Sequence, residues 1–223
     1  MYTELEYQLF KKRFHGTSNL TGIDFQIHVA LNVSLNLLSN EKQLDKVTLE
    51  GIEDIDLKPF QTDNIYTQVK TSINSWHLSN LTQPIINFIT LNKITKSSNK
   101  FNLVLNFEPR VAIKTLFSEE ILMADKEYLV KELLKQKDIK KNNISREEII
   151  DVISNCKLNY ISKINLVEET KVKVCKLLEI HPNDTDNFLL SLLYKFIDWS
   201  IERKTITKSD LLDFKIKFKE NRG

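Results

Sequence analysis

The feature that most constrains this chain is a pair of short alternating segments joined by a polar turn. The first segment ends in Glu-Asp-Ile-Asp, and the second ends in Gln-Val-Lys. Because side chains alternate between faces along a strand, Asp54 shares a face with Asp56, and Gln68 shares a face with Lys70. Pairing the two strands gathers carboxylates, an amide oxygen and an ammonium group on one side of a sheet. Such a cluster suits a hard divalent cation beside a positive charge that stabilises a phosphoryl transition state.

The composition is that of a globular protein built from long regular elements. The 223 residues, of which 41% are hydrophobic and 28% charged, are enough for one large domain or for a domain with an appended lobe. Only four glycines and four prolines are present, which argues against a turn-rich all-β fold. The net charge of +2 neither supports nor forbids nucleic-acid binding, because local basic patches matter more than the total.

The sequence does not indicate a membrane protein or a structural zinc site. No apolar run approaches the roughly 20 residues that a membrane span needs, and the charged N-terminus is unlike a signal peptide. Cys156 and Cys175 form no CxxC motif, and the histidines are scattered. We therefore expect reduced thiols, a cytoplasmic location and no membrane partner.

The hydrophobic pattern predicts helix, three strands, helix and strand over roughly the first 110 residues, and helices from Ser118 onward. The expected elements are a loop at 15–22, a helix from Phe25 to about Asn40, strands at 46–52, 54–57 and 65–71, a helix capped by Ser79, a strand at 101–107, an exposed linker at 135–143, a helix with a capping box at Ser145, an added strand at 160–166, and closing helices at 168–178, 185–201 and 209–219. This order predicts an α/β fold. A mixed sheet flanked by helices would occupy residues 1–115, and a helix-rich lobe at 116–223 would pack on it.

Three stretches carry a family resemblance. They are Gly-Ile-Asp-Phe-Gln at 22–26, Leu-Glu-Gly-Ile-Glu-Asp-Ile-Asp at 49–56, and Gln-Val-Lys-Thr-Ser at 68–72 followed by Trp-His-Leu-Ser-Asn-Leu at 76–81. In this order they resemble the PD-(D/E)xK, or restriction-endonuclease-like, superfamily in its QxK form, as in Mrr-like enzymes. More narrowly, they resemble the DNA-endonuclease domain of bacterial anti-phage effectors, such as SAVED-linked nucleases of CBASS systems and Lamassu-type nuclease subunits. The resemblance covers about residues 20–107.

The resemblance implies roles for individual residues. Asp54 would bind the catalytic metal, Mg²⁺ or Mn²⁺, and Gln68 would replace the usual second carboxylate. Lys70 would position or activate the attacking water and neutralise the charge that builds on the phosphate. Gln26 would support the site from the first helix.

The main metal ligand stays open at this point, because Asp56 and Glu50 are further acids in the same stretch. His77, Lys93 and Lys96 are weaker candidates for contacts with DNA. A lone histidine beside a tryptophan, here Trp76, is more often a packing or capping residue.

Together these features predict a metal-dependent endonuclease that cuts double-stranded DNA with little sequence preference, as the effector of an anti-phage defence system. We expect it to self-associate or to bind a partner subunit through the helical half, residues 118–223. One alternative is a catalytically silent scaffold with the nuclease fold, although the retained Asp54, Gln68 and Lys70 speak against it. In a second alternative, the acids and the lysine form only solvated cross-strand ion pairs, worth under about 1 kcal/mol.

Overall fold

The computed structural model of the chain describes residues 17–39, 44–50, 54–60, 62–72, 74–95 and 99–220. Six strands in these ranges form one mixed sheet in the order β5-β4-β3-β2-β1-β6. The strands are β1 (Leu44–Leu49), β2 (Ile55–Pro59), β3 (Ile65–Lys70), β4 (Lys100–Leu105), β5 (Cys156–Tyr160) and β6 (Thr205–Ile206). β1 pairs antiparallel with both β2 and β6, β2 pairs antiparallel with β3, and β3, β4 and β5 run parallel.

Helices connect these strands and cover both faces of the sheet. They are α1 (Thr17–Ser34), α2 (Thr82–Thr95), α3 (Val111–Phe117), α4 (Met123–Leu134), α5 (Lys137–Lys141), α6 (Arg146–Asn155), α7 (Lys163–Leu178), α8 (Thr185–Ile201) and α9 (Lys208–Glu220), with short 3₁₀ turns at Leu35–Leu38, Leu78–Leu81 and Pro182–Asp184. No helix among the described residues combines the length and the apolar character needed to cross a bilayer.

Each face of the sheet has its own hydrophobic core. Apolar residues of α1, α7 and α8 pack on one face, together with Val69 of β3. Apolar residues of α2, α4 and α6 pack on the other face, together with Tyr66 of β3. Because side chains alternate along a strand, Gln68 and Lys70 lie on the same face of β3 as Tyr66.

Both hydrophobic cores contain residues from either side of residue 115, such as Phe25 with Phe188 in the first core and Phe88 with Ile149 in the second. Strands β5 and β6 come from the second half of the chain and form the two edges of the sheet. The second half therefore completes the same layered unit.

Several predicted elements are confirmed, and others begin or end elsewhere. The capping box is present, because Ser145 Oγ accepts from the Glu148 amide at 3.2 Å and Glu148 Oε2 accepts from the Ser145 amide at 2.8 Å. The strand expected at 160–166 was wrong, because parallel pairing with β4 ends β5 at Tyr160 and α7 begins three residues later. Ser79 lies inside a 3₁₀ turn that precedes α2, and the linker expected at 135–143 contains α5.

The loop expected at 15–22 is helical from Thr17, where the described residues begin. Gly22 lies within α1, and a Cβ atom added there would lie 3.2 Å from Oγ1 of Thr71. Such a separation is tighter than ordinary packing, so the glycine allows α1 to approach the chain immediately after β3. Glycine suggests a loop when only the sequence is considered. At position 22 it instead permits a close contact between α1 and Thr71, the residue after Lys70.

Candidate active site

Asp54 lies immediately before β2, at the end of the sheet where β3 and β4 finish. This line of strand ends, as distinct from the outer strands β5 and β6, is called the edge from here on. Pairing of Ile55 with Thr67 continues by one step to place Asp54 opposite Gln68. Oδ2 of Asp54 accepts a hydrogen bond of 2.7 Å from the backbone amide of Val69. The Val69 amide lies beyond Thr67, the last residue of β3 that pairs with β2, and the Asp54 side chain supplies its hydrogen-bond acceptor. This bond fixes the position of the carboxylate relative to β3.

Gln68 and Lys70 lie in the second half of β3, and their side chains point to the same face of the sheet. Gln68 is buried, with 3% of its surface exposed, whereas Lys70 is partly exposed at the final position of the strand. Among the ion pairs of the described residues, none includes Lys70. The ammonium group is therefore positioned at the sheet edge with no carboxylate of the described residues in direct contact.

Burial raises the pKa of the Asp54 carboxyl above its ordinary value. The hydrogen bond from Val69 and the positive charge of Lys70 act in the opposite direction, while the charge of Asp56 adds to the rise. A carboxylate that burial holds in an unfavourable ionised state gains stability when a cation binds beside it.

The first helix reaches the same edge through Gln26. Its Nε2 donates a hydrogen bond of 2.7 Å to Oε1 of Glu50, the residue that follows β1. The Glu50 amide in turn donates to the Asp54 carbonyl at 3.1 Å, and Glu50 has a φ of 48°, which is uncommon for this residue type. These contacts connect α1, the end of β1 and the start of β2, with Glu50 and Asp54 at one end of the sheet.

Asp56 lies further inside the sheet than Asp54. It is paired with Thr48 on one side and with Tyr66 on the other, two positions away from the edge at which Asp54 lies. The structure therefore places Asp54, Gln68 and Lys70 at one end of the sheet, with Asp56 two positions further in. Gln26 reaches the same end through Glu50, from the helix that packs on the opposite face.

The weaker candidates for DNA contacts lie in different places. His77 is exposed after β3, its amide donates to Asn80 Oδ1 at 2.8 Å, and its Nδ1 lies 3.1 Å from Nη1 of Arg110. Lys93 pairs with Glu148 at 2.6 Å in the last turn of α2, which leads to the start of β4 and hence to the opposite edge of the sheet. Lys96 lies outside the described residues.

Trp76 is buried, 7% exposed, and packs on Phe107 with ring centroids 5.6 Å apart. The indole therefore belongs to the second hydrophobic core. Arg110, which contacts His77, was not among the predicted residues. The signal that could have found it is its position shortly after β4, because parallel strands bring the segments that follow them to the same edge.

The side chains at this edge offer oxygen donors, the ligand type that Mg²⁺ and Mn²⁺ prefer. Mg²⁺ is commonly held by one or two carboxylates, and water and phosphate oxygens complete its coordination. Asp54 offers a carboxylate, Gln68 an amide and Glu50 a second carboxylate. Within the described ranges, no group of three or more His, Cys, Asp or Glu side chains is arranged to hold a metal.

The fold and this edge define an α/β domain with a candidate hydrolytic centre where β2 begins and β3 ends. The family model for the Cap4 dsDNA endonuclease domain matches residues 16–209. This chain belongs to that family. A sequence search against curated proteins gave no significant match.

Solved structures with a similar fold include two receptors from different bacteria. The Acinetobacter baumannii Cap4 SAVED/CARF-domain containing receptor, solved with the cyclic trinucleotide 2'3'3'-cAAA, has a TM-score of 0.60 and 16% identity, over 86% of this chain and 44% of that chain. The Moraxella osloensis Cap4 SAVED/CARF-domain containing receptor has a TM-score of 0.60 and 12% identity, over 87% of this chain and 46% of that chain. At such identities the likeness concerns the fold. This chain spans less than half the length of either receptor.

Proposed function

We propose that this chain is a metal-dependent endonuclease that hydrolyses phosphodiester bonds in double-stranded DNA with little sequence preference. Its membership of the Cap4 dsDNA endonuclease domain family supports the substrate and the class of reaction. The observation that carries the proposal is the placement of Asp54, which is bonded to the Val69 amide between Gln68 and Lys70. A carboxylate, an amide and a lysine thereby meet at one edge of the sheet.

Asp54 and Gln68 are the residues that we propose for holding Mg²⁺ or Mn²⁺, with Asp56 as a less favoured candidate. Such an ion, when bound, polarises a phosphate oxygen and lowers the pKa of a bound water. Lys70 stabilises negative charge on the phosphate in the transition state and orients the attacking water through its ammonium hydrogens. Gln26 acts indirectly, because it holds Glu50 beside the start of β2.

The biological setting is also a proposal. The similar receptor from Acinetobacter baumannii was solved with two different cyclic trinucleotides, and its name includes a SAVED/CARF domain. We infer that this chain cuts DNA as the effector of an anti-phage defence system in the cytoplasm. A nuclease with little sequence preference endangers the DNA of its own host, so its activity requires control by self-association or by a partner subunit.

A plasmid-cleavage assay tests the proposed function. Supercoiled plasmid is incubated with the chain in Mg²⁺, in Mn²⁺ or in a chelator, over a wide range of protein concentrations. We expect nicked, linear and then heterogeneous fragments with either metal, and intact plasmid with the chelator. Intact plasmid under every condition, including with candidate partner proteins added, would instead favour the silent scaffold.

A further inference from the structure

The segments that follow β3 and β4 leave the sheet side by side. The two strands are parallel, and Lys70 is paired with Leu105 at the last position of each. Beyond the strands, the Asn106 amide donates to the Lys70 carbonyl at 3.3 Å, and Asn106 Oδ1 accepts from the Ser72 amide at 3.0 Å. Asn106 therefore ties both segments together next to the proposed catalytic lysine.

A buried aromatic pair and an exposed polar pair lie further along these two segments. Trp76 packs on Phe107, and the next residue, His77, meets Arg110. Because the tryptophan is buried and the His77 amide is bonded to Asn80 Oδ1, the backbone that carries His77 is held in place. The exposed pair of His77 and Arg110 is thus attached to a backbone segment whose position is fixed by these contacts.

The His77–Arg110 pair is rich in hydrogen-bond donors and carries a net positive charge. A guanidinium can only donate, so Nδ1 of His77 accepts from Nη1 of Arg110 and the ring hydrogen is on Nε2. Both side chains are exposed, and none of the ion pairs among the described residues includes Arg110. The nearby acid Glu108 is paired with Lys114. The remaining guanidinium hydrogens and the Nε2 hydrogen are suited to an anion with several acceptor oxygens.

We propose that Arg110, oriented by His77, binds a backbone phosphate of the DNA that flanks the phosphate being cleaved. Arg110 follows Asn106 by four residues, so its Cα lies at most about 14 Å from that of Asn106, which contacts Lys70 directly. That reach corresponds to a few nucleotides of a DNA strand. The inference rests on the proposed function, and it adds a substrate contact from a residue outside the proposed catalytic group.

The test measures binding of a labelled DNA duplex by fluorescence anisotropy, in chelator so that no cleavage occurs. Arg110→Ala is compared with the parent and with Lys100→Ala, which removes an exposed cation at the start of β4 and hence at the opposite edge. Near 100 mM salt, we expect Arg110→Ala to raise the dissociation constant about 5- to 10-fold, and to reduce the slope of its logarithm against that of the salt concentration by about 1. Lys100→Ala should leave both quantities close to those of the parent.

Two further variants separate a phosphate contact from a purely structural role. Arg110→Lys should retain the salt slope of the parent with part of its affinity, because it keeps the charge and loses the planar fork. His77→Ala should weaken binding less than Arg110→Ala, because the guanidinium keeps its charge and loses only the side chain that orients it. If the parent cuts plasmid while Arg110→Ala and Lys100→Ala bind DNA alike, this inference is wrong and the nuclease proposal stands. If the parent neither binds nor cuts DNA, both fail.

Discussion

Asp54 accepts a hydrogen bond from the Val69 amide, and at 2.7 Å this contact ties the carboxylate to β3, not to the strand that Asp54 precedes. Oδ2 of Asp54 therefore holds the side chain against β3. The proposed metal would bind the other oxygen, Oδ1, to which the described residues contribute no further hydrogen bond. Different substitutions distinguish the observed contact with Val69 from the proposed contact with the metal.

We expect Asp54→Asn to reduce DNA cleavage at least about 100-fold with little loss of stability. The asparagine side chain keeps an oxygen that can accept from Val69, whereas it loses the negative charge that a metal requires. Asp54→Ala should in addition lower the free energy of unfolding by about 1–3 kcal/mol, because the Val69 amide loses its acceptor. Plasmid cleavage and denaturant unfolding measure the two effects.

Asp56→Asn is the matched control for the ligand assignment. Asp56 lies two positions further from the sheet edge, so its loss should reduce cleavage less than the loss of Asp54. Equal losses in the two variants would indicate shared coordination. A loss confined to Asp56→Asn would move the metal ligand two residues along the chain.

Lys70→Ala should abolish cleavage and leave the fold intact. The side chain is partly exposed at the end of β3, so its removal opens no cavity in either core, while the phosphate loses a charge that stabilises the transition state. Cleavage rates and melting temperatures are compared with those of Lys100→Ala, which should resemble the parent in both. A Lys70→Ala variant that cuts as fast as the parent would show that the site is elsewhere.

The local sequence pattern predicts those features of the site that lie within a single strand. Alternation along β3 predicts that Gln68 and Lys70 share a face, and the short distance to the acidic segment predicts their pairing with Asp54. The bond between Ser145 and Glu148 was predictable for the same reason, because a capping box lies within four residues.

The parts that were missed depend on contacts between distant segments. β5 is a strand because it extends the parallel ladder beside β4, and the two residues of β6 are defined by pairing with Val47 and Thr48 of β1. Arg110 meets His77 across 33 residues, only because β3 and β4 are parallel and in register. No local period in the sequence records these pairings, since each depends on the order of strands in the sheet.

The contact between Gln26 and Glu50 leads to a prediction about support of the site. Gln26→Ala removes a hydrogen bond of 2.7 Å to a carboxylate, so we expect about a tenfold lower cleavage rate and a loss of about 1–2 kcal/mol in the free energy of unfolding. Glu50→Gln should have a smaller effect on cleavage than Asp54→Asn. If Glu50→Gln is as inactive as Asp54→Asn, Glu50 is itself a metal ligand, and Gln26 positions it.

His28 gives a prediction about pH and stability. Burial lowers the pKa of His28 below its ordinary value of 6.5, against the charge of Asp24, which raises it, and together with the charge of Lys163. Below about pH 6.5 the unfolded chain therefore binds a proton that the folded chain takes up only at lower pH. The free energy of unfolding should fall as the pH is lowered through this range.

His28→Gln removes this titration, so its free energy of unfolding should depend less on pH than that of the parent between about pH 7 and pH 5. Denaturant unfolding at several pH values, in chelator, measures the difference between the two proteins. The side chain is 5% exposed and its Nδ1 has no hydrogen-bond partner among the described residues, so the variant loses no hydrogen bond at that atom. A difference that stays constant with pH would contradict the prediction.

The last prediction concerns control of cleavage by assembly. A single copy has a net charge of only +2 and should hold DNA weakly, because affinity depends on how many phosphates a protein neutralises. Two copies on one duplex would combine their weak contacts and bring two sites to the two strands.

The large apolar residues Phe188 and Phe196 of α8 are fully buried in the core, whereas Tyr194 on the same helix is 55% exposed. We therefore expect double-strand cleavage per molecule to rise with protein concentration. Tyr194→Lys should weaken this rise more than Phe60→Lys, whose parent side chain is 63% exposed just after β2 and lies outside the helical half. Cleavage over a dilution series, with the oligomeric state followed by sedimentation velocity, tests this. Full double-strand cleavage by a dilute monomer with no partner added would overturn it.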